Sequence, residues 1–202
     1  MPTPRRTSPK RSGGQNVTVS DSADRLQILF VCTANISRSP YLELRARSLA
    51  GDAPVEFASA GVHALDDTLI DPAMSVELTA RGIASDEFRS RRVTGSILGR
   101  ADLVLTAEAA HRAAILDEHP VATRKVLTVG QADRALDRID PGTPASELAA
   151  ALVAARGGAT ADLDIVDPYR RGPEAARACA LILDKIVDRL LARLALDRTE
   201  AR

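Results

Sequence analysis

The sequence predicts a single α/β domain built on a parallel sheet with helices on both faces, and three observations predict it. Short apolar runs of strand character alternate along the chain with amphipathic stretches of helical spacing. Two of those stretches open on a cap residue followed by proline, Ser39-Pro40 and Asp71-Pro72. The chain has 202 residues, 45% of them hydrophobic and 27% charged, which suits one domain with a substantial core. Aromatics are 2% and tryptophan is absent, so that core is built from Leu, Ile, Val and Ala.

The elements follow in order. Residues 1–24 are rich in Ser, Thr, Pro, Gly and Arg and carry almost nothing to bury, so a disordered tail is expected, followed by a domain over 25–202. No apolar segment follows its basic residues, so no secretory signal is expected. Ile28 to Val31 is the first strand, and Ser39-Pro40 opens a helix that Gly51 stops. Val55 to Ala60 is the second strand, and a helix from Asp71-Pro72 ends at Gly82. "ADLVLT" (101–106) is the third strand, followed by a helix over about 109–117; "KVLTV" (125–129) is the fourth. "PASELAAALVAARGG" (144–158) reads as a helix closed by its two glycines. From Glu174 to about Arg198, Ala176, Ala180, Leu183, Val187, Leu190 and Leu194 recur on one helical face.

Composition narrows the function. Zero formal net charge provides no general attraction to nucleic acid or an anionic membrane, and no apolar stretch approaches the roughly 20 residues of a membrane span. His63, His111 and His119 lack ligand spacing, so no metal is expected. The two cysteines, Cys32 and Cys179, make no disulfide framework and suit a reducing cytoplasm. Cys179 falls near the apolar stripe of the last helix and reads as a small buried hydrophobe. His111 reads as a surface or cap residue. Asp162 and Asp164 read as a solvated loop, and Asp66 and Asp67 as turn residues.

Cys32 is different. It ends the first strand, at the sheet edge where α/β proteins bind ligands, and "CTANISRSP" then leads into a helix. A loop wrapped between strand end and helix start can turn several N–H groups into one concavity, which suits a tetrahedral oxyanion. The same positive field favours a thiolate, the nucleophilic form. A cation about 4 Å away at an effective dielectric near 20 adds about 4 kcal/mol. Arg38 supplies that cation, and its planar fork grips two phosphate oxygens at once.

"VCTANISRSP" resembles the phosphate-binding loop of the low-molecular-weight protein tyrosine phosphatases: Cys, five residues, Arg, then Ser or Thr. "FASAG" (57–61), "GIASDEFRSRRVT" (82–94) with Ser90-Arg91, and "VDPYRRG" (166–172) resemble further family segments in the right order. The resemblance implies a four-stranded parallel sheet of order 2-1-3-4. It implies hydrolysis of phosphotyrosine through a phosphocysteine intermediate, without metal or organic cofactor. Cys32 would be the nucleophile and Arg38 the phosphate clamp. Asp167 would be the general acid and then the general base. Thr33, Ala34, Asn35, Ile36 and Ser37 would contribute the rest of the phosphate cradle. Ser39 would assist the thiolate, Ser59 would support the loop, and Tyr169 would form an aromatic wall. The implied partner is a phosphotyrosine-bearing protein or kinase, and the implied state a monomer or weak homodimer.

The sequence also departs from the family pattern. Ala34 stands where glycine is usual, so a left-handed conformation there would cost about 1–2 kcal/mol. Ser37 replaces a second cysteine, Phe88 a frequent histidine, and the rim segment "VHALDD" has no aromatic. Residues 131–160 are longer than usual. Two alternatives use the same fold. A thioredoxin-coupled arsenate reductase would need further cysteines, which 70–110 lack. A non-catalytic phosphate-binding regulatory module would have no use for Cys32, Arg38, Ser39 and Asp167 together. Ile36, where phosphoarginine-directed relatives tend to carry threonine, resembles the tyrosine type of pocket.

Overall fold

Strand β1 (Leu26–Cys32) determines the layers, because its residues alternate between two cores. Leu26, Ile28, Phe30 and Cys32 join one buried cluster, and Leu29 and Val31 join the other. The structure, a computed structural model, describes residues 25–140 and 143–196. The expected tail and the end of the last helix beyond residue 196 lie outside the described residues. Strand β2 (Val55–Gly61) pairs with β1 in parallel, Cys32 opposite Gly61. On the other side of β1 lies β3 (Leu103–Thr106), which in turn pairs with β4 (Val126–Thr128). The sheet is parallel, in the order β2-β1-β3-β4.

One face is covered by α1 (Arg38–Ala50), α2 (Pro72–Thr79), α5 (Val129–Leu136), α6 (Ala145–Ala155) and α7 (Pro173–Leu196). The other is covered by α3 (Gly95–Arg100), α4 (Ala109–Glu118) and a short 3-10 turn at Pro120–Arg124. On the larger face Phe30 and Phe57 stack with centroids 5.9 Å apart. Asp184 of α7 accepts from Tyr41 and Arg45 of α1 and from Arg81 at the end of α2, fastening three helices at one point.

The expected elements are present, with three differences. Helix α1 begins at Arg38 after Ser37, which makes no side-chain cap. Ser39 is therefore inside the first turn, its hydroxyl free for other work. Helix α3 was not expected; Thr94 caps it by accepting from Ile97 N–H. Nor was α5, which fills part of the long 131–160 segment. Thr128 and Gln131 form a reciprocal capping box at its start, and Thr-x-x-Gln is a start signal readable in the sequence.

Topology places the ligand end. The chain leaves β1 to one side to form β2, then crosses to the other side to form β3. The carboxyl ends of β1 and β3 thus flank the point where connections diverge, and a crevice opens there. Cys32 ends β1, and Ala107-Glu108 follow β3.

Candidate active site

The loop after β1 is held by backbone from two neighbours. Val62 N–H donates to Cys32 O and His63 N–H to Thr33 O, while Asp71 N–H donates to Ile36 O at 2.7 Å. Gly61 lies directly beneath it: a Cβ there would come within 2.7 Å of Thr33 O and 2.8 Å of Asn35 N. The "SAG" at the end of β2 is thus a seat that only glycine can provide.

Asn35 turns the loop. Its φ of 56° is left-handed, a conformation that asparagine tolerates better than most residues. Ala34 has no positive φ, so the strain considered at that position does not arise. The Asn35 side chain is fully buried; Nδ2 donates to Ser39 Oγ at 3.0 Å and to Ser59 Oγ at 2.8 Å, and Oδ1 accepts from Arg91 N–H at 2.9 Å. Ser59 Oγ donates to Glu43 Oε2. Ser39 Oγ lies 3.0 Å from Cys32 Sγ.

Arg38 joins the loop to two distant segments. Its side chain is 1% exposed. Nη1 donates to the Glu108 carboxylate and, at 2.7 Å, to Ile165 O; Nη2 donates to Asp167 Oδ2 at 2.8 Å. A buried cation between two carboxylates has its charge answered, as burial demands. The segment bearing Asp167 is anchored besides: Ile165 N–H donates to Ala107 O, and Asp164 Oδ1 accepts from Ala109 N–H at the start of α4. Asp164 is therefore not a free loop residue, whereas the exposed Asp162 forms an ion pair with exposed Arg134. Asp167 Oδ1 accepts from Tyr169 N–H, and Tyr169 stands half-exposed with the Arg170 guanidinium 5.1 Å from its ring centre.

His111 is a correction. Expected as a surface or cap residue, it is buried, with Nε2 2.8 Å from Thr33 Oγ1. Burial pushes its imidazole below the ordinary value, with Arg38 adding to the effect and Glu108, Asp167 and Asp164 opposing it. Burial likewise pushes the Cys179 thiol up to about 12, which fits its reading as a packed hydrophobe. Three buried polar atoms in this cluster have no partner within the described residues: Ser37 Oγ, Arg38 Nε and His111 Nδ1.

The structure thus gathers Cys32, the 33–39 loop, Ser59, Asp167 and Tyr169 at one end of the sheet. Sequence reasoning missed Glu43, Glu108 and His111. Glu108 could have been found, since it follows a strand's carboxyl end as Cys32 does. Glu43 lies four residues beyond Ser39 on one helix face, a spacing that brings side chains together.

Comparison with known proteins bears on this arrangement. Residues 27–144 match the family model for low molecular weight phosphotyrosine protein phosphatase. The chain is 37% identical over 115 residues to a probable low molecular weight protein-tyrosine-phosphatase, EpsP, of Ralstonia nicotianae, covering 56% of this chain and 77% of that one. It is 29% identical over 170 residues to the protein-arginine-phosphatase of Geobacillus stearothermophilus, covering 83% and 95%. The YwlE arginine phosphatase structure from Geobacillus stearothermophilus superposes with a TM-score of 0.67 at 28% identity, covering 88% and 97%. The tyrosine phosphatase Wzb from Escherichia coli K30, in complex with sulphate, gives 0.63 at 26%, covering 82% and 95%. By these matches the chain belongs to the low molecular weight phosphotyrosine protein phosphatase family, and with it to the phosphoric monoester hydrolases.

Proposed function

We propose that the protein hydrolyses phosphotyrosine in protein substrates through a phosphocysteine intermediate. The observation that carries this reading is the bridge of Arg38 from the cysteine loop to Asp167, with a hydroxyl against the buried thiol. In the first step the Cys32 thiolate attacks phosphorus, the P–S bond forms and the P–O bond to the ring breaks. Asp167 gives its proton to the departing phenolate oxygen. In the second step water attacks phosphorus and loses a proton to Asp167. The P–S bond breaks, and Ser39 O–H steadies the returning thiolate.

Arg38 and the N–H groups of residues 33–38 hold the phosphoryl oxygens through both steps, and Ser37 Oγ and Arg38 Nε are buried donors in that loop awaiting acceptors. Glu108 and Ile165 O orient the guanidinium from behind. Tyr169 and Ile36 offer apolar surface to the substrate ring. Both cysteines are free, and a thiol nucleophile suits a reducing, cytoplasmic setting. Among the described residues no helix is long and apolar enough to cross a membrane.

The similarity to arginine phosphatases defines the second reading, phosphoarginine as substrate, against which Ile36 weighs. Phosphate release by the purified protein from phosphotyrosyl, phosphoseryl and phosphoarginyl peptides decides between them. Phosphotyrosine turnover that disappears in Cys32→Ser, with vanadate binding retained, is expected. Preference for phosphoarginine would overturn the substrate assignment, and near wild-type turnover in Cys32→Ser would overturn the covalent mechanism.

A further inference from the structure

The turn between Asp167 and α7 contains two arginines that the fold itself does not use. Arg171 N–H donates to Pro168 O at 3.0 Å, closing a four-residue turn over Pro168-Tyr169-Arg170-Arg171. Arg170, third in that turn, has a φ of 58°. A left-handed third residue is the type II pattern, whose natural occupant is glycine or asparagine. An arginine there is held against its own backbone preference, an outlier of the kind that marks functional segments. The start of α7 at Pro173 favours negative side chains, so Arg171 gains nothing from the helix either. Both arginines are exposed, and neither guanidinium has a carboxylate partner among the described residues. Of the acids on either side, Asp167 is taken by Arg38. Glu174 lies beside Gly172, where a Cβ would come within 3.6 Å of its Oε2.

We propose that Arg170 and Arg171 form an anion subsite on the rim of the crevice, which selects protein substrates carrying an acidic side chain close to the phosphotyrosine. The proposal rests on the phosphotyrosine reading and narrows its substrate class. The Arg170 guanidinium lies 5.1 Å from the ring centre of Tyr169, whose N–H is bonded to Asp167. The cation is thereby kept beside the acid and the aromatic wall, with N–H groups that suit a carboxylate. The facing rim has the opposite character. Ile165 N–H, bonded to Ala107 O, ties the arginine segment to the β3 side of the cysteine loop. On the β2 side, His63 and Asp71 N–H bond the loop, and the exposed residues between them include Leu65, Asp66, Asp67 and Leu69. A peptide laid across the crevice puts its two flanks on different rims. A carboxylate at one flank meets the arginines, and at the other it meets Asp66 and Asp67. Acid is therefore favoured on one side of the phosphotyrosine only.

The test is kcat/KM on tyrosine-phosphorylated peptides that differ only in carrying Glu, Ala or Lys beside the phosphotyrosine, placed on its N-terminal or its C-terminal side. Wild type, Arg170→Gly, Arg171→Ala and the double variant are compared by the Glu-to-Ala ratio within each enzyme, so that a general change in turnover cancels. Wild type should prefer Glu by roughly three- to tenfold at one flank, through KM rather than kcat, because the contact is made away from the reacting atoms. The ratio should fall towards one in the double variant, and in wild type it should shrink when salt is raised to about 0.5 M. Glycine suits the left-handed position, so Arg170→Gly keeps the turn. A wild-type ratio near one at both flanks would overturn the proposal, as would a preference that survives in the folded double variant. Should the double variant not fold, a ratio unchanged in both Arg170→Gly and Arg171→Ala overturns it equally. Wild type that turns over none of the phosphotyrosyl peptides would remove the premise instead, a separate and recognisable result.

Discussion

Ala34 precedes the residue that turns the cysteine loop, and the division of labour between the two is specific. Asn35 takes the left-handed conformation and uses both ends of its amide, whereas Ala34 has an ordinary negative φ. Glycine at 34 would therefore relieve nothing and would loosen the unfolded chain. Ala34→Gly should lower stability by about 0.5–1 kcal/mol, as read from a urea midpoint. A gain in stability would show that position 34 is strained after all. The same scale explains why the loop's chemistry was readable but its support was not. Cys32, Arg38 and Ser39 sit at fixed spacing in one short stretch, while Glu43, Glu108 and His111 meet them only after folding.

Among elements, the segment from 161 to 169 is where expectation and structure differ most usefully. Three aspartates looked alike apart from the proline after Asp167. In the fold each has its own partner: Arg134 for Asp162, the N–H of Ala109 for Asp164, Arg38 for Asp167. Asp167→Asn should slow turnover of a tyrosine-like phosphate by roughly 10²–10⁴-fold and steepen its dependence on leaving-group pKa, because the proposed proton donor is gone. Asp164→Ala removes an acceptor at the start of α4 and should cost about 1 kcal/mol of stability without changing that slope. Asp162→Asn should do neither. Single-turnover rates across a leaving-group series, with denaturation midpoints, check all three; a steeper slope in Asp164→Ala would mean the acid was assigned to the wrong residue. The strands and longer helices were legible because apolar periodicity repeats over several residues. The six residues of α3 and eight of α5 are too short for that signal, and their cap residues were the only readable marks.

At the scale of the whole molecule, the buried His111 ties stability to pH. Its folded-state value is depressed below the ordinary 6.5, so as pH falls the unfolded chain takes up the proton first. Stability present above that value is therefore lost as pH drops below it, until the folded form is protonated too. Wild type should lose more of its urea midpoint between pH 7.5 and 5.5 than His111→Gln, which cannot titrate. Equal losses would show that the imidazole is not held neutral by the fold.

The Arg38–Asp167 contact spans 129 residues of sequence and joins the first strand's loop to the segment leading into the last helix. Parallel pairing and long-range closure of this kind come late when a chain folds, because the entropy of the intervening loop is lost before the contact rewards it. In the mechanism proposed above, attack and proton transfer are therefore brought together only in the finished molecule. A nascent or partly unfolded chain can expose the cysteine loop, but Cys32 and Arg38 then stand apart from Asp167.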